Sequence, residues 1–69
     1  MITEIGITAG EIWHYLDKHG SADLATLENG ISRPKELLLM SLGWLAREGH
    51  ISLGDEKSGF SAKLNPQTK

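Results

Sequence analysis

The stretch Pro34-Lys35-Glu36-Leu37-Leu38-Leu39-Met40-Ser41-Leu42-Gly43-Trp44-Leu45-Ala46-Arg47-Glu48-Gly49-His50-Ile51-Ser52-Leu53 changes its apolar period part-way along. Before Gly49, Leu38, Leu42 and Leu45 recur at helical spacing, with Ser41 beside them. After Gly49, Ile51 and Leu53 alternate with Ser52, the period of a strand with one buried face. The pattern predicts a helix from about Pro34 to about Glu48, then a strand. Proline suits a first helical turn, because the amide hydrogen it lacks has no partner there. It also pushes Arg33 out of helical geometry. Downstream, Gly54-Asp55-Glu56-Lys57-Ser58-Gly59 is rich in turn formers, and Phe60, Ala62 and Leu64 alternate with Ser61 and Lys63. Two alternating runs around a polar loop predict a β-hairpin.

Two further helices are expected upstream. Thr8-Ala9-Gly10-Glu11 has the form of a capping box, with Ile7 and Ile12 placed as a hydrophobic staple, so the first helix is expected to start near Thr8. Ile2 and Ile5 allow an upstream extension. Ala9, Ile12, Trp13 and Leu16 make its apolar stripe, which assigns Trp13 to the core and leaves Tyr15 off it. Lys18 and His19 complement the negative end of the dipole, and Gly20 terminates the helix. A short second helix follows, capped by Ser21 or Asp23, with Leu24 and Leu27 inward and Gly30 at its end. Three helices and a hairpin give an α+β, mainly α, winged helix-turn-helix domain over residues 1–64, with Pro34–Glu48 in the recognition position. Asn65 to Lys69 is expected to be a flexible tail.

Residues along this frame also carry a resemblance. Ala9-Gly10-Glu11-Ile12-Trp13 with Leu16 and Gly20, and Leu42-Gly43-Trp44-Leu45-Ala46-Arg47-Glu48 followed by Ile51, resemble the two signatures of a small prokaryotic winged helix-turn-helix family. That family is catalogued as a domain of unknown function. The similarity runs from about Ile5 to Leu64. It implies the winged-helix fold, and it implies no enzyme activity and no catalytic residues.

The totals narrow the function. A chain of 69 residues leaves little volume for an enclosed active site. There is no cysteine, and no apolar run approaches the roughly 20 residues of a membrane span. The first residues lack the basic and apolar segments of a signal peptide, so a cytoplasmic location is expected. Lys and Arg total 7 against 9 Asp and Glu, a net charge of −2. DNA-binding domains usually carry a basic excess that grips phosphate.

On a helical wheel Leu38, Ser41, Leu42 and Leu45 share one side, within about 60° of Leu38. Glu36, Met40, Gly43 and Arg47 share the opposite side, with Leu37 and Trp44 on one flank and Leu39 and Ala46 on the other. Met, Trp and Arg are enriched at protein interfaces. Leu37, Met40, Trp44 and Arg47 are therefore the candidates for contact with a protein partner or with a second copy of the chain. The alternative is direct DNA binding by a transcriptional regulator, using Arg33, Lys35, Arg47 and Lys57. Arg33 and Lys35 flank a helix N-terminus, where amides can hold phosphate, but Glu36 and the Asp55-Glu56 pair of the wing oppose it. The charge balance and the outward face favour the protein partner.

Nothing points to an enzyme. His14 and His19 fall on different helix faces, His50 stands alone, and no cysteine or carboxylate cluster completes a metal site. There is no glycine-rich phosphate loop and no nucleophile elbow. No cofactor, metal or small-molecule substrate is expected.

Overall fold

The computed structural model describes residues 1–57 and 59–66. The element order is α1 (Ile2–His19), β1 (Ser21–Asp23), α2 (Leu24–Gly30), α3 (Lys35–Arg47), β2 (Ile51–Glu56) and β3 (Gly59–Leu64). The strands form one antiparallel sheet in the order β1-β3-β2. The helices pack on its inner face, around Ala9, Ile12 and Leu16 of α1, Leu27 of α2, Leu38, Leu42 and Leu45 of α3, and Ile51 and Ala62 of the sheet. This is the expected winged helix with one strand more than the sequence reading gave.

The first helix does not begin at Thr8. It begins six residues earlier, with Met1 as its cap, and Ile5 N–H donates to the Met1 carbonyl at 3.0 Å. Thr8 lies on the buried side of the helix at 0% exposure, its hydroxyl without a partner among the described residues, and Glu11 turns to Arg33. The capping-box pattern is overridden because half-buried Ile5 continues the Ala9–Ile12–Leu16 stripe by one more turn, and burying that turn outweighs a local cap. Trp13 and Tyr15 are both half-buried, but Tyr15 packs against the core and Trp13 is not part of it, so the expected core place of Trp13 fails. Gly30 makes room for Tyr15, since a Cβ at that position would stand 2.6 Å from the ring.

Strand β1 has a simple cause. Gly20, at φ 91°, ends α1 and turns the chain back, and its N–H donates to the Leu16 carbonyl at 2.7 Å. Ala22 then points inward opposite Ala62, and the two small side chains let β1 lie close on β3. Asp23 closes the strand and also caps α2. Its extended backbone serves both roles, and its carboxylate accepts from the Thr26 N–H at 2.8 Å. Hydrogen bonds from Thr26, hydroxyl first and amide second, hold that carboxyl below the ordinary aspartate range.

In the hairpin, Ile51 pairs with Leu64 and Leu53 with Ala62. Ile51 is buried, but Leu53 is 47% exposed, so the expected burial of Leu53 fails. The reason is position. β2 is an edge strand, and past Ile51 it runs beyond the helices that would cover its inner face. Asn65 is held in place: its N–H donates to the His50 carbonyl, its side-chain amide donates to the Gly49 carbonyl, and the Ser52 hydroxyl donates to its side-chain oxygen. The rest of the expected tail, beyond residue 66, lies outside the described residues, as does Ser58 of the loop.

Candidate functional site

Helix α3 is fixed at both ends by its own sequence. Pro34 is the cap, and its carbonyl accepts from the Leu38 N–H at 3.0 Å. At the other end Gly49 adopts φ 80°, its N–H donates to the Ala46 carbonyl, and the His50 N–H reaches back to the Leu45 carbonyl. This is the Schellman ending, in which glycine supplies the left-handed residue. The inner side is anchored by Leu38 at 0%, Leu42 at 2% and Leu45 at 3% exposure. Ser41 is fully buried and its hydroxyl donates to the Ile5 carbonyl of α1 at 3.2 Å. These contacts fix which side of α3 faces away.

The outward side carries Glu36, Met40, Gly43 and Arg47, all exposed. Met40 is 40% and Trp44 47% exposed. Leu37 is buried at the edge of the α1–α3 contact, where it borders a shallow groove with Met1, Glu4, Pro34 and Met40. Of the four interface candidates, then, Met40, Trp44 and Arg47 form one accessible surface, and Leu37 lies behind it. Trp44 leans toward α1, where with Trp13, Gly6 and Gly10 it borders a second groove, and its ring lies 6.3 Å from that of His50. The sequence reading did not bring Trp13 and Trp44 together. The flank position of Trp44 on its wheel is the available signal, because Trp13 reads as part of the α1 stripe.

The DNA-contact candidates are scattered. Arg33 donates through Nε and Nη2 to the two carboxylate oxygens of Glu11, each at 2.8 Å. That hydrogen-bonded pairing lowers the Glu11 carboxyl below its ordinary range and raises the Arg33 guanidinium. Arg33 therefore begins with its best donors occupied. Lys35 and Arg47 are exposed at opposite ends of α3, and Lys57 is exposed at the tip of the hairpin beside Asp55 and Glu56. Residues 1–63 match a family described as a winged helix-turn-helix domain (DUF2582), a domain of unknown function.

The chain belongs to this family. No curated protein and no solved structure matches it. Winged helix-turn-helix domains are typically nucleic-acid or protein binding modules, and α3 holds the place in the fold that the recognition helix takes in helix-turn-helix proteins. No helix among the described residues is long and apolar enough to cross a membrane. Nor does any group of three His, Cys, Asp or Glu side chains among them stand close enough to hold a metal. His14 and His19 border an open groove with Glu11, Tyr15 and Arg33, and the Tyr15 and His19 rings lie 4.2 Å apart.

Proposed function

We propose that this winged helix is a non-enzymatic module that docks a protein surface through the outward side of α3. The observation that carries the reading is the exposure of Met40 and Trp44 on the helix that a DNA-reading relative would set in the major groove. Base edges are read by hydrogen-bonding side chains, above all Arg, Lys, Asn and Gln. This surface offers a thioether, an indole edge and a bare glycine, with one acid and one base at its ends. The clamped Arg33 and the acidic pair on the wing support the same reading, because phosphate binding draws on free positive charge.

The experiment is a fluorescence anisotropy titration of the chain against mixed-sequence duplex DNA, at about 50 mM and about 200 mM salt. The expected result is no saturable binding at micromolar protein. Nanomolar affinity that falls steeply with salt overturns the reading in favour of a DNA-binding regulator acting through Lys35, Arg47 and Lys57.

A further inference from the structure

We propose that the surface on α3 takes a second copy of this chain, docked antiparallel across a two-fold axis between Met40 and Gly43. The proposal rests on the docking reading above and names its partner. The outward line reads Glu36, Met40, Gly43, Arg47, with spacings of four, three and four, the same from either end. Its symmetric positions are complementary. The outer two are an acid and a base, and the inner two are a long flexible apolar side chain and the absence of one. A two-fold axis perpendicular to the helix sets Glu36 opposite the partner's Arg47 and Met40 level with the partner's Gly43, and does so twice. Isologous interfaces have this self-complementarity. A parallel arrangement sets acid on acid and base on base.

Three observations single out this line. Gly43 has no need to be glycine for the fold, since beyond its own helix backbone a Cβ there would meet none of the described residues within 4 Å. Glycine inside a helix is unfavourable relative to alanine, so its place in the seam has a use outside the chain. Neither Glu36 nor Arg47 makes an ion pair among the described residues, so both charges are free to meet a partner. The two exposed apolar residues flanking the line, Leu39 at 40% and Trp44 at 47%, each stand about 70° from it. The two-fold operation keeps each flank on its own side, so each meets its counterpart and closes one edge of the seam.

Glu36 and Arg47 are about 16 Å apart along the helix. So short a contact lies below the roughly 800 Å² per partner of a standard interface. The dimer is accordingly weak and reversible.

The test is sedimentation of the full chain from about 5 μM to about 1 mM, a range that brackets a weak association. It is run on the wild type, on Glu36→Arg, on Arg47→Glu, and on an equal mixture of the two variants. Both substitutions are on exposed positions, and circular dichroism confirms that each variant is folded. The wild type is expected to dimerise, and each variant alone to lose affinity at least about tenfold, the effect of one like-charge contact made twice. The mixture is expected to recover dimer, because the acidic copy then meets the basic one at both ends. A wild type that stays monomeric at about 1 mM overturns the proposal, as does a dimer indifferent to both swaps or a mixture no tighter than its components. Any of these results with duplex DNA left unbound sinks self-pairing alone, whereas salt-sensitive DNA binding sinks the docking reading beneath it.

Discussion

Replacing Gly43 with alanine separates what the helix needs from what its surface does. The backbone at Gly43 is ordinary helix, and beyond its own helix backbone the added Cβ meets none of the described residues within 4 Å. Alanine gains about 0.8–1.0 kcal/mol over glycine in a helix interior. For a domain of this size each kcal/mol corresponds to about 4–8 °C in Tm. At a concentration low enough to keep the chain monomeric, Gly43→Ala is therefore expected to melt several degrees higher, followed by the helical circular dichroism signal. The same methyl group fills the space that the partner's Met40 occupies in the proposed seam. Self-association is expected to weaken by about tenfold, equal to about 1.4 kcal/mol. Stability rising while affinity falls is the signature. A lower Tm shows that Gly43 serves the fold after all, and an unchanged dimer shows that it serves no seam.

Further outcomes follow from the interior and from the ion pair. Thr8→Val replaces a buried hydroxyl that has no partner among the described residues with a methyl of like shape, and is expected to stabilise the chain by at least about 1 kcal/mol in urea unfolding; a loss of stability would mean the hydroxyl is satisfied in solution. Leu38→Ala empties a site at 0% exposure and is expected to cost about 2–5 kcal/mol, enough to unfold much of a small domain. Leu53→Thr, on the uncovered edge strand, stays within about 0.5 kcal/mol, read by the same denaturation. Glu11→Gln tests the pair with Arg33. The folded carboxyl is held below its ordinary range, so the pair contributes at neutral pH and is lost as pH falls through that lowered value. The variant is expected to be slightly less stable than wild type near pH 7 and equal to it in acid. The effect is small because the two side chains are 33% and 40% exposed. A stability gap that persists in acid, where wild-type Glu11 is also neutral, rejects the assignment.

The parts of the fold that the sequence displayed were those with a long period. Leu38, Leu42 and Leu45 span two turns, and the Pro34 start and Gly49 stop each follow from one residue's backbone chemistry. Strand β1 was hidden because three residues, Ser21 to Asp23, cannot show a period, and because Asp23 also reads as a helix cap. The start of α1 was misplaced for the opposite reason. Thr8-Ala9-Gly10-Glu11 carries a complete local signal, but Thr8 faces the interior and Glu11 pairs with a residue 22 positions away. No local pattern encodes a contact that distant. On the candidate site, helical geometry alone placed Glu36, Met40, Gly43 and Arg47 outward. It could not show that Leu37 tucks behind Met40 or that Trp13 and Trp44 border one groove, because both depend on how α1 crosses α3.

A dilution series followed by amide ¹⁵N–¹H correlation spectra reports on the α3 surface residue by residue. If copies of the chain meet there, the concentration-dependent shifts will concentrate on the amides of Glu36, Met40, Gly43 and Arg47 and on the Trp44 indole, leaving Lys57 and the rest of the wing still. Shifts that gather on the wing or around His14 and His19, with α3 silent, would contradict it.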